Sequence, residues 1–251
     1  MGNPVVHFEI AGPDGPALRQ FYRDLFGWKV EVLGEEMHNY GLVSANEGGI
    51  GGGLFPTAEG TPARSYVTFY VQVDDLETAL NKAAGMGGKA IVPPVEIAPG
   101  MGSIAMFEDP AGNTVGLYAL PPEWDGQMPP KGNGPPVVHF ELGGGDAAKL
   151  AEFYAGMFDW QIHLHEETNY RLVQQETGGI GGGIFEHVEG MPPNNPSVAV
   201  MVSDLQAYLD KAVDLGGSAL MAPTEIPGGF GSMAIFFDIA GNRISLFRSP
   251  E

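Results

Sequence analysis

Val5-Val6-His7-Phe8-Glu9 returns as Val137-Val138-His139-Phe140-Glu141, an offset of 132 residues, and this recurrence decides the fold. Outward from it the matches continue in order. Phe21-Tyr22 is followed by Phe153-Tyr154, Phe26-Gly27-Trp28 by Phe158-Asp159-Trp160, and Asn39-Tyr40 by Asn169-Tyr170. The glycine run Gly48-Gly49-Ile50-Gly51-Gly52-Gly53 recurs at Gly178 to Gly183, and Asp109 with Ala111-Gly112-Asn113 recurs as Asp238 with Ala240-Gly241-Asn242. The offset shrinks only to 129 by the end, so a few short loop deletions account for it. A period near 130 is far longer than a solenoid repeat of roughly 20–50 residues, so the chain holds two fused copies of one domain. The reading places a first domain at 1–121, a linker at 122–136 and a second domain at 137–251, the linker being marked by its proline and glycine content.

Each copy divides again. Residues 5–10 alternate, with Val6, Phe8 and Ile10 on one face and Val5, His7 and Glu9 on the other. Leu18, Phe21, Tyr22 and Leu25 follow at helical spacing, and Gly27 supplies a stop. Short strands are predicted at Lys29–Leu33, Tyr40–Ala45 and Gly52–Phe55. The order restarts at Tyr66: Val67, Phe69, Val71 and Val73 face one way, Thr68, Tyr70 and Gln72 the other. A helix over Leu76–Ala84 and strands near Ala90–Val92, Ser103–Phe107 and Thr114–Ala119 complete the copy. Each half-domain is therefore βαβββ, four in all. The class is α+β, with the apolar series packing beneath the helices and the other face lining a cup of mixed sheet.

Composition bounds what such a cup can do. The 251 residues carry 12 Lys+Arg against 31 Asp+Glu, a formal charge of -19. That excess repels phosphate backbones and anionic lipid, which argues against nucleic-acid and membrane partners. The absence of cysteine excludes disulfide frameworks, iron–sulfur clusters and thiol nucleophiles. The opening Met-Gly-Asn-Pro-Val-Val-His-Phe enters a strand pattern with no basic n-region or apolar h-region, and the expectation is a soluble, cytoplasmic protein. The glycine runs offer no phosphate loop: there is no Gly-Lys-Ser/Thr, and each run continues into Leu-Phe-Pro or Ile-Phe-Glu rather than a helix. They are expected to form a bulged strand, or a turn, that lets a ligand or another backbone approach closely.

Tandem βαβββ units, a first strand ending in His-Phe-Glu, a helix carrying Phe-Tyr before Phe-Gly-Trp, a Val-Asp-Asp-Leu step and a closing Asp-Pro-Ala-Gly-Asn strand together resemble the vicinal oxygen chelate superfamily. That superfamily includes glyoxalase I, bleomycin-resistance proteins and extradiol dioxygenases. Within it the chain is most similar to fused two-domain glyoxalase-like proteins of the mycobacterial 27-kDa antigen type. The resemblance implies a divalent metal held by His or Gln on the first strand, His on the strand opening the second unit and Glu on the closing strands. Carried over, the first-strand ligand falls on His7 and His139. The second-unit ligand falls on Thr68 and Ser197, the closing glutamate on Gly116 and Ser245, and the first unit's closing ligand within Gly51–Gly53 or Gly181–Gly183. Only the two histidines remain, whereas a catalytic divalent ion takes about three protein ligands.

His7 with Glu9, and His139 with Glu141, stand two apart on one strand, with Cβ atoms roughly 6.5–7 Å apart on a shared face. They are candidate acid/base pairs, and His7 and His139 are candidate metal ligands. Tyr40, Thr68, Tyr70, Gln72, Gly116, Tyr118, Tyr170, Ser197, Met201 and Ser245 are candidate ligand-binding positions on the cup face. The expected partner is a small carbonyl or aromatic molecule, with the chain a monomer, internally pseudo-dimeric, or a homodimer. Three functions stay open. The first is a glyoxalase-like lyase or isomerase using the His-Phe-Glu pairs. The second is a metal-free sequestering protein of the bleomycin-resistance kind, and the third a dioxygenase or glyoxalase with non-standard metal ligands.

Overall fold

The computed structural model describes residues 2–57, 65–123, 126, 131–187 and 196–250. In the first copy the elements run β1 (Val5–Gly12), α1 (Gly15–Phe26), β2 (Val30–Val32), β3 (Gly41–Val43), β4 (Gly51–Pro56), β5 (Tyr66–Gln72), α2 (Leu76–Gly85), β6 (Lys89–Glu96), β7 (Ser103–Glu108) and β8 (Thr114–Ala119). In the second they run β9 (Val137–Gly144), α3 (Ala147–Phe158), β10 (Ile162–His165), β11 (Tyr170–Val173), β12 (Gly181–Glu186), β13 (Ser197–Met201), α4 (Leu205–Asp214), β14 (Ser218–Glu225), β15 (Ser232–Phe237) and β16 (Arg243–Arg248). The four βαβββ units are all present. They form two mixed eight-stranded sheets, β2-β3-β4-β1-β5-β8-β7-β6 and β10-β11-β12-β9-β13-β16-β15-β14.

Local chemistry sets the element ends. Asp14 caps α1 by accepting from the Ala17 amide, a proline sits in the first turn, and Gly27 closes the helix at φ 68°. Asp159 takes the same left-handed closing position in the second copy at φ 58°. The strand expected near Ala90–Val92 extends through Pro93 and Pro94 to Glu96, with register shifts on either side of Val92. Prolines are tolerated there because β6 is an edge strand whose outer amides have no ladder partner.

The residues gather into two compact units, each drawing on both copies. One takes Met1–Val6, Thr68–Met128 and Phe140–Pro196; the other takes His7–Val67, Pro129–His139 and Ser197–Glu251. In the second of these, α1 packs on α4 and β15: Phe26 stacks on Tyr208 at 5.9 Å, Phe21 meets Phe236 of β15 at 6.3 Å, and Lys211 Nζ donates to the Leu25 carbonyl. In the first, α3 packs on α2 and β7, with Phe107 of β7 against Phe153 and Phe158 and Lys82 Nζ donating to the Met157 carbonyl.

One polar knot locks each unit. The Asp238 carboxylate accepts from the amides of Ala240 and Asn242, from Asn242 Nδ2 and from Tyr22 Oη, all at 2.8–2.9 Å, and Asn242 Nδ2 also donates to the Ala11 carbonyl. Asp109 is held in the same way by Ala111, Asn113 and Tyr154, and Asn113 Nδ2 reaches the Gly143 carbonyl. The recurring Phe-Tyr and Asp-(x)-Ala-Gly-Asn motifs are thus halves of one interaction. The tyrosine of a helix in one copy closes the turn of a half-domain from the other copy.

The tryptophans have a related task. Trp28 is buried against Phe8, Tyr22 and Phe26, and its Nε1 donates to the Pro135 carbonyl at 2.8 Å. Trp160 packs on Phe140, Tyr154 and Phe158, and its Nε1 donates to the Asn3 carbonyl at 2.7 Å. Of the expected linker, residues 124, 125 and 127–130 lie outside the described residues. The part from Lys131 onward is strapped down by Asn133, which receives the Lys29 amide and donates to the Gly27 carbonyl, and by Asn46, which donates to the Asn133 and Gly134 carbonyls.

The alternation of β1 is only partly reflected in burial. Phe8 and Ile10 are fully buried as expected, but so is Val5, while Val6 is half-buried. Val5 forms an antiparallel bridge to Ile180, which covers the strand's first residue regardless of its face.

Candidate functional site

On β1 the two polar side chains of the His-Phe-Glu motif each meet a phenol within their own unit. His7 Nε2 lies 2.8 Å from Tyr40 Oη, and the rings stack at 6.4 Å between centroids. Tyr66 Oη donates to Glu9 Oε1 at 2.6 Å, a short charge-assisted bond. Tyr40 also leans on Phe55 at 6.1 Å.

Burial dominates the electrostatics. Desolvation pushes the His7 imidazole down to about 4, so it is neutral throughout the physiological range. Desolvation also pushes the Tyr66 phenol well up, reinforced by the Glu9 charge and the hydrogen bond to it, so the phenol remains a donor.

The sign of the His7 shift sets a pH test. Its folded value lies below the unfolded 6.5, so the unfolded chain binds the proton more tightly. The stability held by neutral His7 is complete above about pH 6.5 and is lost as pH falls toward 4. By pH 5 the loss is about 2 kcal/mol. Chemical denaturation at pH 7 and pH 5 is expected to show this loss in the wild type and not in His7→Gln. An equal loss in both proteins would assign the acid sensitivity to other groups.

The glycine runs explain how the phenols are seated. A Cβ on Gly53 would fall inside the Tyr40 ring, and one on Gly52 inside the Phe8 ring. Gly183 serves Tyr170, and Gly182 serves Phe140, in the same way. β4 and β12 are regular strands in this region, carrying aromatic rings on both faces in place of side chains, and the expected bulge is absent. Close backbone approach does occur one step earlier, where the Val137 carbonyl passes over Gly49 and the Val5 backbone over Gly179.

The remaining candidates divide by what their side chains touch. The Thr68 hydroxyl is fully buried and donates to the Thr114 carbonyl at 2.8 Å, and the Ser197 hydroxyl donates to the Arg243 carbonyl at 2.9 Å. Both therefore close onto neighbouring strands. Tyr70 lies opposite Gly116 with its ring over that glycine, whereas the equivalent pair in the second copy is Ala199 opposite Ser245. Gln72, Tyr118 and Met201 are half-buried, and Tyr118 Oη donates to the Met101 carbonyl at 3.2 Å. His139 is half-buried on β9, and Glu141 is buried. Tyr66 escaped the sequence reading as a site residue, although the alternation placing Thr68, Tyr70 and Gln72 on one face extends to it.

A divalent ion does not fit this donor set. Among the described residues no three His, Asp or Glu side chains come together as a possible metal site. The His7 Nε2 atom faces a phenol, and the positions where the resemblance places the other ligands carry hydroxyls bonded to backbone, glycines, or a buried serine.

Fold, duplication and motif order agree with the comparisons to known proteins. The model of the glyoxalase/bleomycin resistance protein/dioxygenase superfamily matches residues 5–117, and that of the glyoxalase-like domain matches residues 139–247. The chain belongs to this superfamily, represented once in each half. It is 26% identical over 247 residues to CFP32 of Mycobacterium tuberculosis, which carries a provisional glyoxylase name, covering 96% of this chain and 92% of that protein. It is 25% identical over 240 residues to the anthracycline biosynthesis protein DnrV of Streptomyces peucetius, covering 88% and 85%. Among solved structures, the Mn(II)-bound glyoxalase from Novosphingobium aromaticivorans superposes with a TM-score of 0.72 at 15% identity, covering 100% of this chain and 84% of that one. The 2,3-dioxygenase LapB from Pseudomonas sp. KL28 gives 0.69 at 14% identity, covering 100% and 94%. Among the described residues no helix is long and apolar enough to cross a membrane.

Proposed function

We propose that the protein binds a small carbonyl- or phenol-bearing metabolite at the His7, Tyr40, Glu9 and Tyr66 cluster, without a divalent ion. The observation that carries this reading is the half-buried, neutral His7 held 2.8 Å from Tyr40. A neutral imidazole hydrogen-bonded to a phenol is an uncharged polar pair on the cup face. Such a pair recognises a polar group without requiring a charged ligand.

The same numbers weigh against the acid/base lyase. A general base works best with a pKa near the operating pH, and an imidazole at about 4 has little affinity for a proton at pH 7. Glu9 is engaged by a phenol whose own proton is held tightly. The site therefore suits recognition better than proton transfer, which favours the sequestering role. Soluble, cytoplasmic residence belongs to the same reading.

The test uses 4-hydroxybenzaldehyde as the probe. Isothermal titration is expected to show saturable binding that Tyr40→Phe and His7→Ala each weaken by roughly tenfold, the worth of one well-placed hydrogen bond. Metal content by mass spectrometry of untagged protein is expected to be well below one ion per chain. Binding indifferent to both substitutions, or a stoichiometric transition metal that survives dialysis, would overturn the proposal.

A further inference from the structure

A cavity of about 290 Å³ opens where the first turn of α4 meets the ends of β14, β15 and β16, with Leu205, Gln206, Thr224, Glu225, Ser232 and Arg248 in its lining. Its size is at the small end of the range for ligand pockets. Three of these residues are aligned by the ladder. Glu225 lies directly opposite Ser232, and Ser232 directly opposite Arg248, so the three side chains stand in one row on one face. Along β15 that face continues through Ala234 and Phe236, fully buried on the side of α4, whereas Met233 is on the cup face. The cavity is therefore on the helix side of the second sheet and shares no residue with the cup.

The side chains of this row are uncommitted. Ser232 is only 8% exposed, yet its hydroxyl has no hydrogen-bond partner among the described residues. Buried hydroxyls are normally bonded, because their lost hydration is otherwise uncompensated. The Glu225 carboxylate and the Arg248 guanidinium flank Ser232 from the two neighbouring strands, and neither makes an ion pair or side-chain hydrogen bond with a described residue. Adjacent strands are roughly 4.8 Å apart, so two strand spacings separate the acid from the base and leave the hydroxyl between them. The other polar groups are engaged. Asp204 accepts from the Ala207 amide, Gln206 Nε2 donates to Asp210, and the Thr224 hydroxyl donates to the Ala222 carbonyl.

The first copy carries a different set. Its matching positions, 129 residues earlier, are Asp75, Glu77, Val95, Glu96, Ser103 and Ala119, three acids and no base. The second copy has Gln206 in place of Glu77, Thr224 in place of Val95 and Arg248 in place of Ala119. One acid is lost and one base gained around a retained serine. We propose that the cavity binds a small zwitterion, an α-amino acid with an uncharged side chain, its carboxylate held by Arg248 and Ser232 and its ammonium by Glu225. The planar guanidinium fork matches a carboxylate, and the first-turn amides of α4 point positive charge toward the same end. A plain anion would meet Glu225 and a chain of charge -19, and a plain cation would meet Arg248, whereas a zwitterion satisfies both. The site does not depend on the reading of the cup.

L-alanine is the probe, followed by two-dimensional amide NMR of the full chain. Saturable shifts are expected at Leu205, Gln206 and Ser232. Arg248→Ala and Glu225→Gln should each weaken binding by roughly tenfold, the worth of one charge-assisted hydrogen bond. Both residues are exposed, and alanine is what the first copy already carries at position 119, so the thermal midpoint should stay within a few degrees. N-acetyl-L-alanine, which lacks the ammonium, and L-alaninamide, which lacks the carboxylate, should each bind roughly tenfold more weakly than L-alanine. Tyr40→Phe should leave L-alanine binding unchanged, and Arg248→Ala should leave 4-hydroxybenzaldehyde binding unchanged, so failure at this site and failure at the cup are told apart. No saturable shift, binding indifferent to either substitution, or either blocked form binding as tightly as L-alanine would overturn the proposal.

Discussion

Asp238→Ala is expected to destabilise the protein by about 3–4 kcal/mol, because it leaves buried donors without an acceptor. Four hydrogen bonds end on this carboxylate, two from backbone amides of its own turn, one from Asn242 and one from Tyr22. The thermal midpoint should fall by roughly 10 °C for a chain of this size. Asp238→Asn is expected to recover little. Its amide would place two N–H groups among four donors, although its volume is nearly the same. Recovery of most of the stability by the asparagine variant would refute the hydrogen-bond account in favour of simple packing.

The acid side of the profile carries the opposite sign from His7. Desolvation pushes the Asp238 and Asp109 carboxyls up despite the hydrogen bonds that oppose it. Their folded values exceed the unfolded one, so their protonated forms favour the folded chain, and their contribution to stability grows as pH falls through the carboxylate range. The His7 loss precedes this gain on acidification, because it begins near pH 6.5.

Gly52→Ala is expected to cost about 2–3 kcal/mol, and Gly182→Ala a similar amount. Each introduces a methyl group where a fully buried ring, Phe8 or Phe140, already lies, and overpacking of this kind is not relieved by a rotamer change. Gly53→Ala differs in kind. Its methyl group displaces Tyr40, which is only half-buried and can swing away. The stability loss should be smaller, while the His7 to Tyr40 contact is broken and the imidazole meets water. Two-dimensional NMR titration is expected to find the His7 pKa rising from about 4 toward the ordinary 6.5 in Gly53→Ala and staying low in Gly52→Ala. An unchanged His7 titration in Gly53→Ala would mean that burial by other groups, not the Tyr40 lid, keeps the ring dry.

Much of the fold was legible because duplication doubles every signal. A single Phe-Tyr or Asp-Pro-Ala-Gly-Asn is weak; the same pieces in the same order twice are strong. Helical spacing, glycine stops and two-residue alternation placed the helices and strands to within a few residues. The misreadings have local causes. Val5 is buried by a bridge formed far along the chain, and β6 runs through two prolines because an edge strand tolerates them. The glycine run suggested a bulged strand or a tight turn; the turn falls at Gly48, and a sequence does not show that rings from Phe8 and Tyr40 lie against the regular strand that follows.

The candidate site was legible as positions and not as partnerships. His7 and Glu9 were placed on one face by parity alone. Their partners Tyr40, just before β3, and Tyr66, on β5, are 33 and 57 residues away, and no local rule selects those tyrosines over Tyr70 or Tyr118. Sequence determined the four βαβββ units, their pairing into two copies and the recurrence of His-Phe-Glu on the first strand of each, because these depend on periodicity and residue type within short windows. Tertiary structure alone decided that the compact units combine half-domains from different copies, that Tyr22 and Tyr154 bind aspartates in the other copy's turns, and that His7 is neutral. Each of those follows from which buried groups find partners and which lose water, and burial is set by segments far apart in the chain.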